Sequence, residues 1–341
     1  MMALDRARPT VRNLVERGYL SRLLCYACGR RNSDSSHEPC MTMSPSQWAL
    51  LLLLGVLWGA TFFFNGVAVR ELPVLTIVLT RVGLAALVLL PIVWLARIRF
   101  PRTLTEWAPF IGMSILNNVI PFAVMLLGQK YITSGLTSVL NATTPLWAAL
   151  LTHAFTVDER LKPNTIVGVL LGIGGVAVLM GPELLGGGNT SAFGMACVLL
   201  SAMFYGLSAL WGRRLRGYPP LLTSCCQMVC STILVAPITF AVDQPWTLAL
   251  PSAHVMAALV GLAVFSTALA YLVFYRIVTV SGPSNAMLVT LINPVCAIAL
   301  GAMLLGETLL QRHVLGALVI ASALLVIDGR LLRWAGVGAR P

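Results

Sequence analysis

The sequence predicts an all-α integral membrane protein, with ten transmembrane helices in two inverted five-helix repeats. Three observations predict this fold class: an apolar composition, ten long apolar runs and an internal duplication. Of the 341 residues, 58% are hydrophobic and only 10% are charged, whereas soluble domains carry about one quarter charged residues. A chain of this composition is expected to lie in a bilayer, with membrane lipids as its surroundings.

The apolar runs have the length of spanning helices, which need about 20 mostly apolar residues. Continuous runs also argue against a transmembrane barrel, whose strands are short and alternate in polarity. In chain order, the predicted helices cover 48–68, 74–96, 108–128, 134–155, 165–181, 192–212, 220–241, 254–275, 283–305 and 313–329.

The basic residues lie between the runs. A net charge of +11 suits a nucleic-acid partner when the charges form a patch, and here they do not. If the N-terminus is cytoplasmic, twelve Lys and Arg residues after the first 46 positions face the cytoplasm, and three face outwards: Arg70, Lys130 and Arg312. Because cytoplasmic loops carry such an excess, we predict a multi-pass protein of the cell (inner) membrane, with both termini cytoplasmic and no nucleic-acid partner.

Two segments of the chain repeat the same order of features. Each opens with Ser-Gly, at Ser134 and Ser281, and continues with a proline inside an apolar run, Pro145 and Pro294. A glutamate ends each run. Since each repeat holds five helices, an odd number, the second repeat enters the membrane from the opposite face. Transporters built this way hold their substrate between the repeats.

The duplication divides the chain into four parts. The two repeats cover 47–181 and 190–330, and 331–341 forms a cytoplasmic C-terminal tail. Residues 1–46 form an N-terminal cytoplasmic tail without apolar periodicity. We expect this tail to be disordered or to result from a mis-assigned start, since Met41 stands just before the first run.

A metal site is not expected. Cys25, Cys28, His37 and Cys40 lie close together in the N-terminal tail, but their spacing matches no standard zinc pattern. The cysteines of the apolar runs pack like other small apolar groups. We therefore predict no metal and no cofactor.

Three prolines near the middle of predicted helices are candidates for helix kinks or gating: Pro121, Pro145 and Pro294. Each removes a backbone hydrogen bond, and in hydrocarbon the freed carbonyl must find a partner in the protein or a water-lined cavity. Polar residues stand beside each proline. They either satisfy the kinks and hold helices together or line a substrate cavity. These polar neighbours are Asn117, Asn118, Asn141, Thr144 and Asn293.

Arg81 is the one basic residue inside an apolar run, about 10 Å deep at 1.5 Å per residue. An intramembrane charge is a functional candidate by default, with snorkelling towards the interface as the alternative. We favour a structural or gating role over direct substrate contact. Gln227 holds the matching position in the second repeat.

Further cavity candidates are aromatic or amide side chains that also occur as packing residues or interfacial anchors. They are Trp58, Gln129, Tyr205 and Tyr271.

An enzyme is not expected. The apolar runs carry no HExxH motif, no pair of aspartates and no serine with a histidine on a compatible face, and intramembrane enzymes need such convergent groups. The middle thirds of the predicted helices also lack Asp and Glu, so we expect transport driven by the substrate gradient, exchange or potential instead of a proton relay. Alternatives are an intramembrane enzyme, a channel or a scaffold.

Several segments together resemble an EamA-type transporter of the drug/metabolite transporter superfamily. They are Leu57-Trp58-Gly59, the helix-two arginine, NNVIPF from Asn117 followed by Gln129, SGLTSVLNATTPLW from Ser134, STALAYLVFYRI from Ser266, and the closing proline-to-GE segment. The resemblance covers about 47–330. Phe62-Phe63-Phe64 departs from it, because relatives mix smaller and polar residues there.

The resemblance implies a ten-helix carrier with a central cavity lined by both repeats. Such a secondary-active or facilitative transporter moves small metabolites, amino acids or drug-like compounds by alternating access, often outwards. Its expected partner is therefore a small-molecule substrate.

Overall fold

In the computed structural model, all regular secondary structure of the described residues is helical. The described residues are 44–155, 163–180, 190–281, 286, 288–308 and 310–328. Residues 1–43 of the predicted N-terminal tail, including Cys25, Cys28, His37 and Cys40, and the predicted C-terminal tail lie outside this part of the chain.

The helices follow the predicted runs closely. The first half holds α1 (Pro45–Ala68), α2 (Val74–Leu95), α3 (Leu104–Gln129), α4 (Ser134–Asn141), α5 (Thr144–Phe155) and α6 (Pro163–Met180). The second half holds α7 (Thr190–Leu215), α8 (Pro220–Val242), α9 (Ala253–Ser281), α10 (Val289–Leu305) and α11 (Gln311–Asp328).

Among the described residues, six helices are long and apolar enough to cross a membrane: α1, α2, α3, α7, α8 and α9. Thr165–Met180, α10 and Gln311–Ile327 are shorter apolar helices. The chain is therefore an all-helical membrane protein.

The fourth predicted run is not one helix. It breaks between α4 and α5 at Ala142 and Thr143, because Pro145 lacks an N–H and disfavours helical backbone in the residue before it. Hydroxyl groups satisfy the backbone carbonyls at the break: Thr143 Oγ1 donates to Leu140 O at 2.6 Å, and Thr144 Oγ1 donates to Asn141 O at 2.7 Å. Pro145 thus starts a helix instead of kinking one.

Two long helices contain π-helical segments that the sequence analysis did not predict. They cover Ile115–Val119 in α3 and Gly261–Leu269 in α9. Pro121 follows the first, and its own carbonyl accepts a hydrogen bond from Ser201 Oγ at 2.9 Å. Since π-bulges occur frequently at functional sites, the two segments mark the part of the bundle where a site is expected.

Close approach between α6 and α11 depends on glycine. A Cβ on Gly168 would lie 2.4 Å from Ile327 Cγ1, and one on Gly175 would lie 2.8 Å from Ile320 Cγ1 and 3.0 Å from its backbone nitrogen. The equivalent atom on Gly172 would meet Leu146 Cδ1 of α5 at 2.3 Å. Small residues give such contacts between membrane helices.

The glycine contact gives a matched pair of variants on neighbouring positions. Gly175→Ala puts a methyl group against the backbone of α11 and is expected to destabilise the protein by about 1–3 kcal/mol through overpacking. Gly174→Ala meets nothing within 4 Å and is expected to be neutral or stabilising, because alanine favours helix over glycine by up to about 1 kcal/mol. Thermal unfolding in detergent compares them. A Gly175→Ala melting temperature equal to that of Gly174→Ala contradicts the packing role.

Candidate functional site

A cluster of buried polar side chains joins α2, α3, α7, α8 and α9. We call it the central cluster. Six residues predicted from the sequence meet here: Arg81, Asn117, Asn118, Tyr205, Gln227 and Tyr271.

The π-helical segment of α3 positions the two asparagines. Asn117 Nδ2 donates to Tyr271 Oη at 2.9 Å, and Asn117 Oδ1 accepts from Ser208 Oγ at 3.0 Å. Asn118 Nδ2, fully buried, donates to Ser231 Oγ at 3.0 Å. The extra residue in the wide turn lets adjacent side chains reach three different helices of the second half.

Gln227 lies at the α8 end of this network. Its backbone carbonyl accepts from Ser231 Oγ at 2.6 Å and from Ser114 Oγ of α3 at 2.8 Å. Its side-chain amide is fully buried and interacts with the hydroxyl of Tyr271 in α9.

Arg81 points into the bundle and is 4% exposed, so its side chain does not snorkel to the interface. Its Nε donates to Thr267 Oγ1, in the π-helical segment of α9, at 3.0 Å. Its guanidinium carbon lies 3.7 Å from the ring centroid of Phe122, a cation–π contact that partly compensates a desolvated cation. The phenols of Tyr205 and Tyr271 lie within its electrostatic range.

Aromatic rings form one wall of the central cluster. The Tyr271 ring stacks on Tyr275 with centroids 6.2 Å apart, and Tyr205 faces Phe122 at 6.5 Å. Trp58 packs on Phe274, with ring centroids 5.3 Å apart, in the apolar contact of α1 with α9 and α10, and Phe274 in turn contacts Tyr275 at 5.2 Å.

Four other predicted residues lie apart from the central cluster. Asn141 and Thr144 stand at the break between α4 and α5, and Asn293 precedes Pro294 inside α10, the helix that packs on α4. The Asn141 and Asn293 Oδ1 atoms are buried without a hydrogen-bond partner. Gln129 ends α3 and donates to Phe62 O and to Ser134 Oγ, the latter at 2.9 Å.

Several residues of the site were not predicted from the sequence. Thr267, Ser208 and Ser231 are small hydroxyl residues that are common in membrane helices, so nothing in their local sequence sets them apart. Thr61 and Asn65 of α1 are 6% and 0% exposed, with unpartnered side chains. Their spacing of four residues beside the phenylalanine run was a usable signal, because it puts both on one helix face.

Among the described residues, one end of the bundle carries three carboxylates, each bound at the start of a helix from the other half of the chain. Glu71 accepts from the N–H and Oγ of Ser252 at 2.8 and 2.7 Å. Asp243 Oδ2 accepts from the N–H and Oγ1 of Thr76 at 2.8 and 2.9 Å. We call this end the carboxylate face.

Glu307 supplies the third carboxylate. Its two oxygens accept from the N–H groups of Ser134 and Gly135 at 2.9 and 3.2 Å, so it caps α4 where orphan donors and the helix dipole favour an anion. A Cβ on Gly301 would lie 2.5 Å from Glu307 Oε2, so a side chain there would displace the carboxylate from its present position. Through Ser134, Gln129 joins the same network.

Hydrogen bonds explain the ionisation of Glu71. Donation by the Ser252 backbone, then by its hydroxyl, lowers the pKa of Glu71 below its ordinary value, with a smaller favourable contribution from His254. The carboxylate is therefore ionised over a wider pH range than a free glutamate.

In the described part of the chain, no three His, Cys, Asp or Glu side chains group in a way that could hold a metal ion. The central cluster instead offers hydrogen-bond donors and acceptors, one cation and aromatic faces, which suit binding of a small polar molecule.

Known proteins similar to this chain are named as transporters or efflux pumps. Transporter YoaV of Bacillus subtilis, named as uncharacterised, is 22% identical over 79% of this chain and 92% of its own length. The Escherichia coli inner membrane transporter YedA, also named as uncharacterised, is 26% identical over 81% and 89% of the two chains. A probable amino-acid metabolite efflux pump of Salmonella typhimurium is 27% identical over 83% and 95%.

A solved protein structure has the same fold, with a TM-score of 0.61 and 17% identity over 86% of this chain and 99% of its own. The model of the EamA-like transporter family matches twice, at residues 46–181 and 192–328. Together the two matches cover most of the sequence. The chain therefore belongs to the EamA-like transporter family, within the drug/metabolite transporter superfamily.

Proposed function

We propose that the protein is a secondary-active or facilitative carrier that exports a small metabolite, amino acid or drug-like compound by alternating access. The observation that carries the proposal is the central cluster, in which polar groups from both halves of the chain are buried together at the level of two π-helical segments. Two relatives are named as probable amino-acid metabolite efflux pumps, which supports amino acids or their metabolites as substrates.

We further propose ten spanning helices in two inverted repeats, 47–181 and 190–330, with α4 and α5 forming one span. The double family match supports this division. Helix contacts support the pseudo-twofold relation: α1 packs on α10 as α7 packs on α5, and α1 packs on α9 as α7 packs on α3. The pairs α2–α8 and α6–α11 join matching helices of the two repeats.

The orientation is part of the proposal. The excess of arginine between the runs favours cytoplasmic termini in the inner membrane, which puts the carboxylate face outside. Each of the three carboxylates bonds to the opposite repeat. The carboxylate face is therefore closed in this conformation. Alternating access then requires these three contacts to break when the carrier opens outwards.

Reconstituted protein tests the transport proposal. Flux of amino acids into or out of proteoliposomes is expected to saturate, which separates a carrier from a channel. Asn117→Ala removes two hydrogen bonds between the repeats, each worth about 0.5–1.5 kcal/mol, and is expected to lower the transport rate about tenfold.

Gln311→Ala is the matched control, because Gln311 is an exposed amide at the start of α11. The proposal fails if no candidate shows saturable flux and Asn117→Ala, Asn141→Ala and Asn293→Ala all behave like the wild type.

The contact of Glu307 with the start of α4 predicts that its loss makes the residues behind it more accessible to solvent. Ser138 is buried one turn behind the Glu307 contact, so a cysteine placed there, with the native cysteines replaced, reports opening of the carboxylate face. Glu307→Ala is expected to speed its reaction with a membrane-impermeant maleimide several-fold. Glu106→Ala is the control, since Glu106 bonds only locally, to the Arg102 N–H. Equal labelling rates in both variants would contradict the role of Glu307 in closing the carboxylate face.

Glu71 predicts a pH dependence. Because its pKa is lowered in the folded protein, its contribution to stability is complete above the ordinary value of 4.5 and is lost as the pH falls through the folded-state pKa. The difference in melting temperature between wild type and Glu71→Gln is therefore expected to shrink as the pH is lowered below about 4.5. A difference that stays constant between neutral and acidic pH excludes this role.

A further inference from the structure

The Arg81 guanidinium is a buried cation with unused hydrogen-bonding capacity. The side chain is 4% exposed, and only its Nε is engaged, by Thr267 Oγ1. Its Nη1 is buried and donates to no acceptor. A buried donor left without a partner destabilises the folded protein, and more so when it is charged.

No described carboxylate compensates this charge. The ionisable groups that act on Arg81 are the phenols of Tyr205 and Tyr271, and the face of Phe122 covers the guanidinium plane. The described carboxylates of the inter-repeat contacts, Glu71, Asp243 and Glu307, are all engaged at the carboxylate face. Buried charges in proteins are normally paired, so this arrangement suits a partner from outside the chain.

Further buried polar groups lie on neighbouring helices. Ser266 Oγ, next to Thr267 in α9, is buried without a hydrogen-bond partner, and the buried Gln227 amide interacts with Tyr271 on the α8 side of the central cluster. On α1, both side-chain atoms of Asn65 and the hydroxyl of Thr61 are unpartnered. That helix packs on the π-helical segment of α9, where a Cβ on Gly261 would meet the Phe64 ring at 2.6 Å.

Resting on the proposed carrier function, we propose that the substrate carries a carboxylate, which pairs with Arg81 in the central cluster. Arginine presents a planar set of donors that matches a carboxylate in bidentate geometry. The Gln227 and Asn65 amides then bind the polar remainder of the substrate, and the rings of Phe122 and Tyr205 contact its apolar part.

Thermal-shift titration of the purified full-length protein tests the carboxylate. The probes are the common amino acids and short carboxylic acids, each beside its carboxamide, since binding to the folded state raises apparent stability. At least one acid is expected to stabilise the wild type, with its carboxamide binding about 10- to 100-fold more weakly, the loss of one charge-assisted hydrogen bond.

Arg81→Gln removes the charge and installs the residue that the second repeat buries at Gln227. It is expected to bind acid and carboxamide equally. Arg276→Gln, the same change at an exposed position of α9, is expected to keep the difference. If Arg81→Gln does not fold, the comparison of acid and carboxamide on the wild type decides alone.

Three outcomes overturn the proposal: wild-type protein that binds a carboxamide as tightly as its acid, wild-type protein stabilised by no acid, and Arg81→Gln that keeps the preference. Saturable flux of a neutral or cationic compound, unchanged in Arg81→Gln, contradicts the proposal that the substrate carries a carboxylate. It leaves the carrier function supported. Absence of saturable flux for every compound removes the carrier function itself.

Discussion

The hydrocarbon core of a membrane supplies no hydrogen-bond partner, and the structure depends on this constraint. Each polar group that leaves the regular helix ladder must be satisfied by the protein or by a ligand. At the break before Pro145, the hydroxyls of Thr143 and Thr144 satisfy the carbonyls one turn behind them. At the π-helical segment of α3, Asn117 and Asn118 reach across to other helices instead.

The same constraint distinguishes polar groups that stabilise the fold from polar groups that can bind a substrate. Groups that only hold the fold have partners, as Ser114 does with the carbonyls of Phe110 and Gln227. Buried polar atoms without partners include Arg81 Nη1, Ser266 Oγ and the side chains of Thr61 and Asn65 on α1. A substrate that satisfied such groups during the transport cycle would offset their cost, and this is the physical basis of the proposed binding site.

Contacts between the halves differ from one part of the bundle to another. The α6–α11 contact is close and glycine-mediated, so it is suited to stay fixed. The carboxylate face is held by charge-assisted hydrogen bonds to helix starts, in which Glu71 is exposed to solvent. Water competes for an exposed carboxylate, so such a contact is reversible. A bundle with one fixed pair of helices and one breakable face has the mechanical elements that alternating access requires.

The sequence by itself determined the helical membrane class, the family and the positions of most helices, because burial in lipid needs long apolar runs whose bounds are visible in the chain. It also found Arg81, Asn117 and Gln227, since polar residues in apolar runs stand out. Only the tertiary structure decided which of the candidates meet. It brought Arg81 to Thr267 and Glu307 to α4. Such partners lie far apart in the chain and meet only through helix packing, which no local sequence pattern encodes.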